Sequence, residues 1–381
     1  MLKVLIITRW YPNKYDPQLG VFIQKHAIAI SKLCDVALVC VLPDPKLRNQ
    51  FIIDESTKGN LKEYVLYYRP FSSGIKGFDR LVNGLYYFLF MHMAKKVAVS
   101  TLGRQDITHA VIMPRTAFSA WMTKLRRRIP FIISEHWSGY GQDDHGSKNR
   151  LTKFLARKSS AIVVVSEFLK KKMQHIPGIY FVVPNIVDPS LAIPATETGR
   201  EIRILVAADL VEKVKNISAV IKAFGVLASE HDRVMLQIIG DGPDRKMLED
   251  LAARQPLSPG RISFLGRLDN ATVYRYLSSC SYVVMNSNIE TFSMICAEAL
   301  CCGKPVVATR CGGPEEFLTK DNAILVQPGN DAELLTALRK MTAEYLHYDS
   351  QKLAAYAQEK FSAEKAASGY LAVYKRALGR D

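Results

Sequence analysis

The 381-residue chain is most readily bounded by what it lacks. No apolar run approaches the roughly 20 residues that a membrane-spanning helix needs. The opening residues, 1–8, are too short and turn apolar too early for a secretory leader, and they read as a first strand. The seven cysteines, at 34, 40, 280, 296, 301, 302 and 311, form no Cys-x-x-Cys pair and mostly lie in apolar segments. Buried, reduced thiols in a cytoplasmic protein are the expectation, rather than a disulfide framework or a metal site. There is no Gly-x-Gly-x-x-Gly, which counts against a dinucleotide cofactor, and no Asp-x-Asp metal motif. The adjacent pair Asp143-Asp144 is discounted as a substitute for one. No recognised nucleic-acid motif, internal repeat or low-complexity tract is present.

Acidic residues are scarce in one half only. Residues 1–190 hold 28 Lys and Arg against 13 Asp and Glu, a net of +15; residues 191–381 hold 23 of each. The whole excess positive charge therefore sits in the first half. A basic half points to an anionic partner such as a phosphate-bearing acceptor, a phospholipid surface or a nucleic acid. A merely solvated basic surface is the plainer alternative.

Apolar strand-like runs alternate with helical patterns along the chain. In the first half they fall at 3–8, 35–42, 108–113, 130–134, 161–166 and 179–183. In the second half they fall at 202–207, 234–240, 262–265, 282–285, 305–309 and 323–326. Such alternation predicts parallel sheets with helices on both faces, an α/β class. A dozen strands exceed one sheet of ordinary size, so two Rossmann-like domains are expected. The junction falls near 184–198, where 194–200 reads as a polar linker, giving domains over 1–188 and 189–362. A final helix over 363–381 places Tyr370, Leu371, Tyr374 and Leu378 at helical spacing.

The densest signal is the run Asn288-Ile-Glu-Thr-Phe-Ser-Met-Ile-Cys-Ala-Glu-Ala-Leu300. A buried strand ends near Met285, Asn286-Ser287-Asn288 turns, and a helix runs from Met294 to a stop at Gly303 and Pro305. Phe292, Ser293 and Met294 thus lie at the first turn, where backbone N–H groups lack helical partners and the helix dipole favours an anion. Glu290 stands just outside that turn and Glu298 a turn and a half inside. One ligand with a sugar, a diphosphate and a ribose diol would satisfy all three. Two solvated acids on a surface helix are the bland reading of the glutamates alone.

The segment, continued by Cys302-Gly-Lys-Pro-Val-Val-Ala-Thr and Gly312-Gly-Pro, resembles the E-x7-E signature of retaining glycosyltransferases with the GT-B fold, family 4 in particular. Further segments resemble that family in the same order, including Pro184-Asn-Ile-Val-Asp, Ile238-Ile-Gly-Asp-Gly-Pro and Ile262-Ser-Phe-Leu-Gly. The resemblance implies two Rossmann-like domains facing each other across a cleft, with the C-terminal helix crossing back to the first. It implies that Glu290 holds sugar hydroxyls, that Glu298 takes the ribose diol, and that His136, at a strand end, faces the transferred sugar. A lone histidine is by itself more often structural. Lys215 matches the lysine that neutralises the diphosphate, whereas Asp209 stands where the family carries an arginine; Lys213 and Arg9 are the alternatives for that missing charge. Gly20, before the first helix, matches a phosphate-contacting Gly-rich loop that is otherwise not glycine-rich here. Gly266 and Arg267 are the base-side candidates, although the glycines of this region have an equally good structural reading.

The expected activity is retaining transfer of a sugar, a hexose type of donor, from a UDP- or GDP-sugar to a hydroxyl of a lipid-linked or polysaccharide acceptor in cell-surface glycan synthesis. By the same resemblance no metal or cofactor is needed, and the domains close over the donor. Residues 78–96, with Lys124–Arg128 and Lys170–Lys172, are either a core helix in a basic domain or a peripheral contact with an anionic inner-membrane surface. The residues 139–150 read as an acceptor-side loop. A polyanion-binding or nucleic-acid-binding protein and a GT-B nucleotide-sugar epimerase are the alternative classes.

Overall fold

A computed structural model of the chain describes residues 1–136, 150–192 and 201–380. The expectations for Asp143-Asp144, the loop 139–150 short of Arg150, and the linker 194–200 lie outside the described residues. In chain order the first run is β1 (Leu2–Thr8), α1 (Val21–Ser31), β2 (Cys34–Pro43), β3 (Phe51–Lys58), β4 (Leu61–Tyr68), α2 (Lys76–Leu102) and β5 (Ile107–Val111). It continues with α3 (Arg115–Arg127), β6 (Phe131–Glu135), α4 (Arg150–Lys158), β7 (Ala161–Val164), α5 (Glu167–Met173) and β8 (Tyr180–Val182). The second run opens with β9 (Ile202–Ala207), α6 (Glu212–Lys215), α7 (Ile217–Glu230), β10 (Val234–Ile239), α8 (Arg245–Ala253), β11 (Ile262–Gly266) and α9 (Asn270–Ser279). It closes with β12 (Tyr282–Met285), α10 (Met294–Cys301), β13 (Val306–Thr309), β14 (Ala323–Val326), α11 (Asp331–Glu344), α12 (Ser350–Lys360) and α13 (Ala363–Ala377).

The chain divides into two compact units, Met1–Ile186 with Ala363–Asp381, and Val187–Ser362. Each holds one Rossmann-like sheet. The first has eight strands in the order β3-β4-β2-β1-β5-β6-β7-β8, all parallel except β3, which pairs antiparallel with β4. The second has six strands in the order β11-β10-β9-β12-β13-β14 with parallel pairing throughout.

Why the central strands are continuous apolar runs is visible in β1. Val4 and Ile6 enter one core with α1 and α13, while Leu5 and Ile7 enter a second core under α2. Successive strand side chains point to opposite faces, so a strand covered on both faces is mostly apolar, and its few polar residues, such as His109 and Ser134, bond to one another. The sheet's strand order runs outward in both directions from β1 and β5 in the first unit and from β9 and β12 in the second. At such a switch the loops leave the carboxyl ends in opposite directions and open a crevice, the usual ligand position in open α/β sheets.

The twelve sequence-derived strands all recur; β3 and β4 were not among them. Nearly all of β3 is exposed and its pattern, FIIDESTK, has no apolar period, as suits an edge strand kept from further pairing by charge. Its one local signal is the two-residue turn Gly59-Asn60. Buried Glu63 on β4 ties this hairpin down, accepting from the Tyr11 and Ser56 hydroxyls, from Gln24 Nε2 at 3.1 Å and from Lys58 Nζ at 3.2 Å.

Residues 78–96 lie within helix α2, which has two faces. Tyr87, Phe90, Met91, Ala94, Ala98 and Leu102 are buried, whereas Phe78, Leu81, Leu85 and Leu89 are each at least half exposed. Among the described residues no helix is long and apolar enough to cross a membrane.

Helix α13 belongs to the first unit, where Ala366, Ala367, Tyr370, Val373 and Tyr374 complete the core against α1. Tyr374 also meets buried His109 Nδ1 at 2.8 Å through its hydroxyl. Tyr370→Ala and Tyr374→Ala are each expected to lower the unfolding free energy by about 3–5 kcal/mol, as emptied aromatic core sites do, measured by urea titration of the whole chain.

Candidate active site

In the second unit the site is assembled at the β9/β12 switch. Two short elements leave the ends of these strands and are laced together. The turn after β12 donates from Asn288 N to Val214 O at 2.7 Å, from Asn288 Nδ2 to Lys213 O at 2.9 Å, and from Asn286 Nδ2 to Asn216 O at 3.0 Å. These asparagines hold α6 against β12 and so fix where Lys215 points. Lys215 Nζ lies 2.5 Å from Glu290 Oε1, and the Ser287 hydroxyl donates to the same oxygen at 2.8 Å. Both side chains are mostly covered, at 22 % and 15 % exposure. Burial pulls the Lys215 ammonium down, but the Glu290 carboxylate and then Asp209 outweigh it and hold the lysine above its ordinary value. Lys215 is therefore a fixed cation with further N–H donors beyond the one that meets Glu290. A small recess lined by Ala207, Ala208, Lys215, Asn286, Ser287 and Glu290 opens at this point.

The backbone around Glu290 is equally constrained. Its N–H donates to Cys311 O at 3.1 Å and its carbonyl accepts from Gly313 N at 2.9 Å. A Cβ on Gly313 would stand 2.1 Å from Thr291 O, so glycine is required there for the two loops to touch. Ser293, at the start of α10, has φ 67° and ψ 87°, a left-handed conformation uncommon for a residue with a side chain. Its hydroxyl meets Cys296 Sγ at 3.2 Å and does not cap the helix. Phe292 is buried in a ring cluster with Phe317 and Phe361, at centroid separations of 5.4 and 5.2 Å, and this anchors the turn that precedes Met294.

Not all the predicted residues converge. Glu298 is buried, at 6 % exposure, in surroundings of its own: with burial, its carboxylate raises the hydroxyl of fully buried Tyr274. Gly266 ends β11, two strands from β9, and exposed Arg267 follows it. Asp209 lies close enough to Lys215 to act on its charge, so the position where an arginine was expected adds negative rather than positive charge.

In the first unit, Gly20 precedes α1 with φ 70°. A Cβ there would lie 2.6 Å from Trp10 O, so the glycine lets the loop after β1 fold onto the helix start. His136 follows β6 and packs on Phe22 and His26, at ring separations of 4.7 and 5.7 Å. His136 is thus one of three histidines grouped here. His26 Nε2 meets Asn185 Oδ1 at 3.1 Å, and His109 Nε2 meets Ser134 Oγ at 2.9 Å. Burial, then the neighbouring histidines, pushes His136 well below the usual range; burial takes His26 to about 4 and His109 to about 3. All three are neutral near pH 7.

Two family models match, Glycosyltransferase Family 4 over residues 21–191 and Glycosyl transferases group 1 over residues 194–360. The chain belongs to the GT-B glycosyltransferases of family 4. This glycosyltransferase is 27% identical to N-acetyl-alpha-D-glucosaminyl L-malate synthase from Bacillus anthracis over 313 residues, 76% of this chain and 80% of that protein. Its fold is similar to that of sucrose-phosphate synthase from Thermosynechococcus elongatus, with TM-score 0.78, 16% identity and both chains covered completely. It is also similar to Anabaena HepE in complex with UDP and glucose, with TM-score 0.72, 18% identity, and 98% and 99% of the two chains covered.

Sequence reading of the glycosyltransferase missed Glu212, Ser287 and the two partner histidines. Glu212 accepts from Ile217 N at 2.9 Å and from Ser218, closing the N-terminus of α7 with a carboxylate. Its signal was present: an acid within one turn of a helix start that lacks another cap. His26 and His109 carried no local signal, because their shared pocket is made by α1, β5 and β6 together.

Their burial has a measurable consequence. A histidine whose folded pKa lies below its unfolded value of about 6.5 binds fewer protons when folded, so stability falls as pH drops below that value. For His26 and His109 together the slope approaches about 2.7 kcal/mol per pH unit between pH 6 and 4. Urea unfolding across that range is expected to show it, and His109→Gln is expected to remove about half of this part of the slope.

Proposed function

We propose that the protein transfers a sugar, with retention, from a nucleoside diphosphate sugar to an acceptor hydroxyl. The observation that carries the reading is the Lys215–Glu290–Ser287 constellation at the β9/β12 switch. A glycosyl donor leaves as a diphosphate while positive charge develops on its sugar. A fixed, partly dry cation stabilises the first, and an acid that accepts sugar hydroxyls holds the second in place. Lys215 takes the diphosphate charge, aided by the uncapped amides at the start of α10, Phe292 to Met294. Glu290 retains acceptor capacity for sugar hydroxyls beyond the lysine. Glu298 is assigned the ribose diol and Gly266 with Arg267 the base. His136 is assigned contact with the transferred sugar, and Gly20 contact with phosphate. Neutral His136 suits a hydrogen-bond partner better than a cation.

UDP is the favoured nucleotide, because a structural neighbour of the same fold carries UDP and glucose. The charge of the leaving diphosphate is met by Lys215 and helix amides, so neither a divalent metal nor a cofactor is required. The acceptor is a lipid-linked or polysaccharide hydroxyl of a cell-surface glycan. The site of action is the cytoplasmic face of an anionic membrane, which the exposed stripe Phe78, Leu81, Leu85 and Leu89, flanked by Lys76 and Arg80, is suited to touch.

Thermal unfolding with UDP-, GDP- and ADP-sugars tests the donor. A nucleotide at about 100 times its Kd adds about 2.7 kcal/mol of stability. One series is expected to stabilise the wild type and to lose its effect in Glu298→Ala; no stabilisation by any nucleotide in the folded wild type sinks the reading. In product assays, Lys215→Met is expected to lower kcat by about 100- to 1000-fold, the loss typical of a removed charge stabiliser, with EDTA without effect.

A further inference from the structure

A second cluster stands at the other switch point, between β1 and β5 of the first unit. Arg9 directly follows β1, and Arg115 opens α3 shortly after β5. Burial lowers the Arg9 pKa, and the charge of Arg115 lowers it further, so the two guanidiniums act on each other. The groups that favour the charged Arg9 are Tyr87, Cys40 and Tyr68; no carboxylate is among them. Arg115 Cζ stands 5.6 Å from the centre of the Tyr87 ring. Tyr87 is 3 % exposed, and its hydroxyl is buried with no hydrogen-bond partner. Arg115 is itself exposed, which gives a ligand a route from solvent.

Two like charges beside an unsatisfied buried hydroxyl are unfavourable in isolation. One bound anion reverses each term. It pairs with both guanidiniums, whose planar forks match carboxylate and phosphate oxygens, and it accepts from the tyrosine. The start of α3, at Arg115, has no side-chain cap, and its dipole favours an anion there; the amide before it, Met113 N, already donates to buried Glu135 at 2.6 Å.

We propose that Arg9, Arg115 and the Tyr87 hydroxyl form an anion subsite for the acceptor, which therefore carries a phosphate or carboxylate group near the hydroxyl that receives the sugar. This assignment rests on the glycosyl-transfer reading above. It gives part of the first unit's positive charge a specific task, separate from any diffuse attraction to a surface.

The test uses the full chain as wild type, Tyr87→Phe and Arg115→Met, titrated calorimetrically with inorganic phosphate, with succinate and with the nucleotide-sugar that stabilises the wild type. Phosphate or succinate is expected to bind the wild type saturably, and the tighter of the two names the group. Each substitution is expected to weaken that binding about tenfold, the loss of one hydrogen bond to a charged partner, while nucleotide-sugar affinity stays within about twofold. Without ligand, Tyr87→Phe is expected to melt no lower than the wild type, because the hydroxyl it removes has no partner; a structural hydroxyl would lower the midpoint. Anion binding that is absent, or equal in all three proteins, overturns the subsite. An equal loss of nucleotide-sugar affinity assigns the cluster to the donor and overturns the acceptor role. A wild type that binds the anion but no nucleotide-sugar fails the glycosyl-transfer reading and with it the acceptor role, whereas failure of the variants alone leaves that reading intact.

Discussion

Both sheets are covered on both faces, and this one constraint decides where chemistry can occur. A strand such as β1 sends Val4 and Ile6 into one core and Leu5 and Ile7 into the other, leaving only its start, at Lys3, for a solvated polar group. Polar function is displaced to the carboxyl ends of the strands, where the backbone turns and amides come free. Lys215, Ser287 and Glu290 lie at one such edge, and Gly20, Arg9, Arg115 and His136 lie on loops or helix starts that follow strands of the other sheet.

The ion pair of Lys215 with Glu290 illustrates what burial does to charge. Each charge would be unfavourable alone in a mostly covered site; paired at 2.5 Å, the lysine is held above its ordinary value. Such a pair is weak evidence for stability but a strong device for orientation, since breaking it leaves one buried charge uncompensated. The asparagines that lace α6 to the turn after β12, and the Glu212 carboxylate that closes α7, make the orientation of Lys215 a property of the second unit's sheet edge. The cost of that rigidity appears in Ser293, whose left-handed backbone is held by the packed turn around it.

Charge in the first unit follows a different rule. Its histidines 26, 109 and 136 are buried and neutral, and its excess positive charge resides in lysines and arginines. Most of these are solvated; Arg9 with Arg115, and Lys95 with Arg126 and Arg127, are places where they act on one another.

Local patterning determined a great deal. Apolar runs announced twelve of the fourteen strands among the described residues, because doubly covered strands are mostly apolar, and the strand-turn-helix around Glu290 was legible from turn residues and the stop at Gly303 and Pro305. The edge hairpin of β3 and β4 escaped because an edge strand is free to be polar, and its pairing is a matter of register with a neighbour. Which residues act together was decided only by tertiary structure. Lys215 and Glu290 are 75 positions apart and meet because β9 and β12 are neighbours across a switch in strand order. His26, His109 and His136 share one pocket for the same kind of reason. A sequence records the period of a strand or helix within a few residues; contact between distant loops depends on sheet order, which no local period encodes.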